Sequence, residues 1–139
     1  MNAMNSIPLI SEQEARGKKI LIADDDHTAH IKFKKFLENI GFEVLHAYDG
    51  KEAYAMASQV RPDFLLLDIS MPQMDGRDIC LRLKNDAETR HIRIVMVTGR
   101  DTGDDRLLGL KLGADEYIEK PCTPHYLERT IRKVMRAES

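Results

Sequence analysis

The chain has no tryptophan, only two cysteines, and aromatic side chains at 6% of its 139 positions. The cysteines, Cys80 and Cys122, form no CxxC pair. They are too few for a disulfide scaffold, which points to reduced thiols in a cytoplasmic setting. Unbroken runs of large apolar residues stop at four, as in Phe64 to Leu67 and Ile94 to Val97. A membrane-spanning helix needs about 20. Neither sign of charge dominates: the net charge is −2, which disfavours a broad basic surface for nucleic acid or anionic lipid. The N-terminus has neither the basic start nor the apolar stretch of a secretory signal. Residues 1–17 are expected to form a polar, partly disordered leader.

What remains is ordinary globular composition, 42% apolar and 32% charged, in a length that suits one domain. That domain is expected over residues 18–137, with 138–139 as a tail. Its apolar period switches repeatedly between strand-like and helix-like. Ile20 to Ala23, Phe42 to His46, Phe64 to Leu67, Ile92 to Val97 and Tyr117-Ile118 suit strands, mostly buried on both faces. Between them run amphipathic helical patterns. The first carries Phe33, Leu37 and Ile40 and closes at Gly41, and the second carries Ala53, Met56 and Val60. The third carries Ile79, Cys80 and Leu83, with Asp75 as its cap. The fourth carries Leu107, Leu108 and Leu110, ended by Gly113. The last has Thr123 as cap, Pro124 at its first position and Leu127, Ile131 and Val134 inside. Strands alternating with crossover helices imply an α/β fold, a five-stranded parallel sheet covered on both faces.

In such a sheet, ligands bind beyond the carboxyl ends of the strands. Asp24, Asp25 and Asp26 follow the first strand, Asp68 the third, Thr98 the fourth and Lys120 the fifth. Asp24, Asp25 and Asp68 together would bring three negative charges against one positive. Two like charges 4 Å apart repel by about 4 kcal/mol at an effective dielectric of 20, so a carboxylate must protonate or a cation must bind. Hard oxygen donors without sulfur favour Mg²⁺, with Mn²⁺ as a substitute. Simpler roles compete at several positions. Asp26 suits a helix cap, and Cys80 a small core residue. His27 and His30, flanking the acidic run, suit an exposed helix face better than a zinc site. His46 has no evident partner.

The runs Ile-Leu-Ile-Ala-Asp24-Asp25, Leu-Leu-Leu-Asp68-Ile-Ser-Met-Pro72 with Asp75-Gly76, Val-Thr98-Gly, and Gly113-Ala-Asp-Glu-Tyr117-Ile-Glu-Lys120-Pro121 resemble the receiver domain of bacterial two-component response regulators. The likeness covers about Lys18 to Arg136. It implies a flavodoxin-like (βα)5 three-layer sandwich with strand order 2-1-3-4-5, the order being taken from the family. It also implies a phosphorelay switch, a phosphoprotein that catalyses its own phosphorylation and dephosphorylation rather than turning over a substrate. Asp68 would accept a phosphoryl group from a histidine kinase or histidine phosphotransfer domain. Asp25, Asp68 and the backbone carbonyl of Ser70 would ligate Mg²⁺, with Asp24 acting through water. Lys120 and the hydroxyl of Thr98 would contact phosphoryl oxygens, and Thr98 and Tyr117 would form the switch. Ser70 and Arg100 would set the lifetime of the phosphoryl group. Cys122 stands where a phenylalanine is frequent, so packing behind Lys120-Pro121 would differ.

By the same resemblance, output would pass to a downstream protein or fused effector, with a homodimer among the allowed assemblies and no direct contact with nucleic acid or membrane. A phosphoaspartate hydrolase would need a second Asp where Ser70 stands. A flavodoxin or phosphate-loop protein would need a Gly-, Ser- or Thr-rich loop where the three aspartates stand. A receiver-like module that docks partners without phosphorylation is the alternative function.

Overall fold

Period-two burial organises the chain. In the computed structural model, which describes residues 9–99 and 110–137, five strands form one parallel sheet in the order β2-β1-β3-β4-β5. They are β1 (Lys19–Ala23), β2 (Glu43–Ala47), β3 (Phe64–Asp68), β4 (Arg93–Thr98) and β5 (Glu116–Glu119). The centre strand, β3, is buried at every position, as a strand covered on both faces must be. The edge strands keep exposed glutamates, Glu43 on β2 and Glu119 on β5, which discourage pairing with another sheet.

Alternate residues separate two cores. Ile20, Ile22, Phe64, Leu66, Val95, Val97 and Ile118 pack on one face beneath α2 (His27–Ile40) and α5 (Pro124–Arg136). Leu21, Leu65, Leu67, Ile94, Met96 and Tyr117 pack on the other beneath α3 (Gly50–Val60) and α4 (Gly76–Lys84). The expected caps are in place: Asp75 starts α4 and Thr123 starts α5, which has Pro124 in its first turn. Gly41 ends α2 at φ 130°, a conformation that favours glycine. The fourth helical pattern of the sequence falls mostly on residues 100–109, outside the described residues. Its end is described, with Leu110 and Lys111 helical and Gly113 at φ 104°.

The polar leader expected over residues 1–17 requires correction from residue 9 onward. A one-turn helix, α1 (Glu12–Ala15), is started by Ser11 in a reciprocal capping box with Glu14. Ile10, just before it, and Ala15, its last residue, are fully buried in the α2/α5 core. The Ile10 amide donates to Oε2 of the buried Glu128 on α5 at 3.1 Å, and Arg136 holds Glu14. The domain therefore starts before Lys18. The apolar step Leu9-Ile10 is too short to show a period of either kind, and this is why the segment reads as a leader.

Burial of Ile10 carries a consequence for stability. Ile10→Ala should destabilise the protein by about 2–4 kcal/mol in urea unfolding, the usual cost of emptying a core isoleucine site. A change near zero is what a solvated leader would give.

Candidate functional site

Asp24, Asp68 and Lys120 each follow by two positions a residue of the same sheet face, Ile22, Leu66 and Ile118. The pleat therefore carries all three to one side at the carboxyl edge. Lys120 Nζ donates to Asp24 Oδ2 at 3.1 Å and to Asp68 Oδ2 at 3.0 Å, bridging carboxylates from two adjacent strands. Asp24 is 5% exposed and Asp68 only 2%. Charges that deep persist only when paired or hydrogen-bonded. Asp68 Oδ1 accepts from the Ser70 amide at 2.9 Å and the Ser70 hydroxyl at 2.7 Å, and Asp24 Oδ1 accepts from the Asp26 amide at 2.9 Å.

The surroundings push these groups in different directions. Burial is the largest influence on Asp24 and, with the neighbouring Asp68 charge, holds its carboxyl above the ordinary range despite the Asp26 amide and Lys120. Burial also acts strongly on Asp68, yet the Ser70 amide and hydroxyl together with Lys120 outweigh it and hold the carboxyl low. Burial alone would push the Lys120 ammonium down. Its bonds to Asp68 and Asp24 raise it above its usual value.

Asp25 is exposed and completes the cluster. Asp24, Asp25 and Asp68 each offer a carboxylate oxygen, all within 4.8 Å of one another. Three hard oxygen donors of net charge −3, against one ammonium, suit a divalent cation such as Mg²⁺. The structure thus brings together Asp24, Asp25, Asp68, Ser70 and Lys120.

Thr98 is joined to the cluster through the main chain: the Lys120 amide donates to the Thr98 carbonyl at 2.7 Å. The Thr98 side chain shares the opposite sheet face with Met96 and Tyr117, and Thr98 and Tyr117 are both buried. Arg100 lies outside the described residues. Asp26 caps α2, accepting from the Thr28 amide and hydroxyl, as the sequence suggests. Cys80 is fully buried in the core. Cys122 is buried too and lines a cavity of about 540 Å³ between α2 and α5 that reaches Asp24, Asp68 and Lys120.

Two features escape the sequence reading. Lys120 binds Asp24 as well as Asp68. His30, expected on an exposed face, is 4% exposed, and its Nε2 lies 2.8 Å from the Asp24 carbonyl oxygen. Its place between Ala29 and Phe33 on the inward stripe of α2 was the available signal. His27 is exposed as expected.

A parallel 2-1-3-4-5 sheet with an acidic cluster and a lysine at its carboxyl edge defines a receiver-type α/β domain. The comparisons agree. The family model described as response regulator receiver domain matches residues 20–132, and the chain belongs to that family. It is 38% identical over 119 residues to a probable transcriptional regulator, ycf27, of Porphyridium aerugineum, covering 86% of this chain and 48% of that one. It is 35% identical over 119 residues to the alkaline phosphatase synthesis transcriptional regulatory protein PhoP of Bacillus subtilis, covering 86% and 49%. Among solved structures, a CheY-like receiver domain protein of Methanospirillum hungatei superposes with a TM-score of 0.80 at 31% identity, covering 86% of this chain and 94% of that one. The chain spans about half the length of the curated relatives it matches.

The opposed shifts give the metal-free protein two opposed pH linkages. Asp68, held low, contributes stability above the ordinary value of 3.8 that is lost as pH falls through its lower folded value. Asp24, held high, loses stability as pH rises from 3.8 through its higher folded value, because its charge is disfavoured on folding. At neutral pH without metal, Asp24→Asn should raise the thermal midpoint and Asp68→Asn should lower it. The reverse ranking would contradict these environments.

Proposed function

We propose that this domain is a Mg²⁺-dependent phosphoacceptor switch of a two-component phosphorelay, with Asp68 as the acceptor. The observation that carries the reading is the buried Asp68 carboxylate, held ionised by Lys120 and Ser70, inside a cluster one divalent cation short of neutrality. In the transfer, an Asp68 oxygen attacks phosphorus. The P–N bond of a donor phosphohistidine breaks, its electron pair leaves with the imidazole, and an acyl phosphate forms on Asp68. Asp25, Asp68 and the Ser70 carbonyl would hold Mg²⁺, which when bound supplies charge stabilisation for the phosphoryl oxygens, and Asp24 would act through water.

Lys120 already sits on Asp68 and would pass to a phosphoryl oxygen as negative charge builds there. The Thr98 hydroxyl would contact another. The dianionic product attracts Thr98 and Lys120, which the main chain links directly. That pull would favour a second arrangement of the β4–β5 edge, including Tyr117. Ser70 and Arg100 would set how long the acyl phosphate survives. Ser70 already occupies an oxygen of the acceptor.

The donor would be a histidine kinase or histidine phosphotransfer domain. The acceptor of output would be a downstream protein or a fused effector, since the matched relatives PhoP and ycf27 are described as transcriptional regulators. Among the described residues no helix is long and apolar enough to cross a membrane, which agrees with a cytoplasmic site of action.

With Mg²⁺ and acetyl phosphate, the wild type should gain one phosphoryl group by intact mass and Asp68→Asn should gain none. Lys120→Met should slow the gain about hundredfold, the usual cost of one lost charge contact in a transition state. A phosphoryl group found elsewhere, or none from acetyl phosphate or any kinase, would contradict the reading and favour docking without phosphorylation.

A further inference from the structure

The acidic tip is held from behind by a pair of histidines that the phosphoacceptor reading does not use. Asp24 is tied at both ends of its backbone, to strand β2 through its amide and to helix α2 through its carbonyl. Its amide donates to the Ala47 carbonyl at 3.1 Å, and its carbonyl faces His30 Nε2 at 2.8 Å. His30 Nδ1 lies 2.7 Å from Nδ1 of His46, the residue before Ala47. Tyr48 covers the pair, its ring 4.3 Å from that of His30 and stacked 4.5 Å from that of His27. With both nitrogens engaged and a face covered, the His30 ring has one orientation.

The contacts also fix where the protons are. A carbonyl oxygen only accepts, so His30 Nε2 carries hydrogen. In the neutral ring its Nδ1 is then a lone pair, and His46 must donate through Nδ1–H. The chain of donation runs from His46 Nδ1 to His30 Nδ1, and from His30 Nε2 to the Asp24 carbonyl. His46 Nε2 is left as a buried acceptor without a partner. Burial first, then the neighbouring His30 and Lys34, push His46 below its ordinary value.

We infer that His30 and His46 are positioning residues for the cation site: His30 pins the Asp24 carbonyl and so the turn that presents Asp24 and Asp25, and His46 selects the tautomer in which His30 does so. This rests on the metal reading proposed above. It extends to a carboxylate turn the second-layer orientation familiar at metal centres, where loss of such a partner weakens binding about 10- to 100-fold.

Two readouts test it. In the wild type at alkaline pH, long-range proton–nitrogen correlations should show His30 protonated on Nε2 and His46 on Nδ1. A neutral His46 protonated on Nε2 would overturn the chain of donation whatever the metal does. In Mg²⁺ titrations followed by the amide shifts of Asp25 and Asp68, His30→Leu and His46→Leu should each bind about tenfold more weakly. His30→Gln keeps a donor at the Nε2 position and His46→Asn keeps one at the Nδ1 position. Both should bind within about twofold of wild type, with the same metal-free thermal midpoints as the leucine variants or lower. Equal Mg²⁺ affinity in all four variants would overturn the inference alone. A wild type that binds no Mg²⁺ at all would overturn the metal reading and this consequence of it, leaving the tautomers to judge the histidine chain itself.

Discussion

The Lys120 ammonium stands between two buried carboxylates that would otherwise repel each other, and the site's arrangement depends on it. Asp24 and Asp68 come from adjacent strands whose tips the parallel sheet forces together. Without a cation near them, two such charges cannot both persist in a buried setting. Lys120 removes part of that cost and leaves the rest, because Asp25 adds a third charge at the rim. The site is thereby stable enough to fold and still short of positive charge. That shortfall is the chemical property a cation-dependent phosphoryl acceptor requires.

The fold supplies the geometry at little local expense. Each charged tip is the next same-face residue after a core aliphatic, so packing of Ile22, Leu66 and Ile118 beneath α2 and α5 also places Asp24, Asp68 and Lys120. Tyr117 falls in the other core, beneath α3 and α4, and Thr98 follows Met96 by two positions on that face. The carboxylates are thus anchored to one core layer and the expected switch residues to the other, with the Lys120–Thr98 main-chain bond between them. A change of charge at the cluster therefore has a short covalent and hydrogen-bonded route to the far layer.

Much of this was legible in the sequence, because burial on both faces gives short aliphatic runs and the residues ending those runs must share an edge. Asp24, Asp25, Asp68 and Lys120 were visible for that reason, and Asp26, Asp75 and Thr123 because capping is chemically local. What escaped depends on partners distant in sequence. Ile10 belongs to a two-residue apolar step whose burial needs α5, with Glu128 lying 118 positions away. The second bond of Lys120 needs the approach of β1 and β5 across the cavity. His30 follows a helical stripe and could be recognised as inward, but its roles need His46 from β2 and a main-chain carbonyl. No spacing encodes those.

The most direct test of the charge shortfall is a calorimetric titration of the wild type with Mg²⁺ beside Asp25→Asn, which removes the exposed carboxylate while leaving the buried pair and Lys120 in place. The account predicts one saturable site in the wild type and a weakening of at least about tenfold in the variant, the loss of a directly ligating charge. Absence of saturable Mg²⁺ binding in the wild type, or equal affinity in the two proteins, would contradict it.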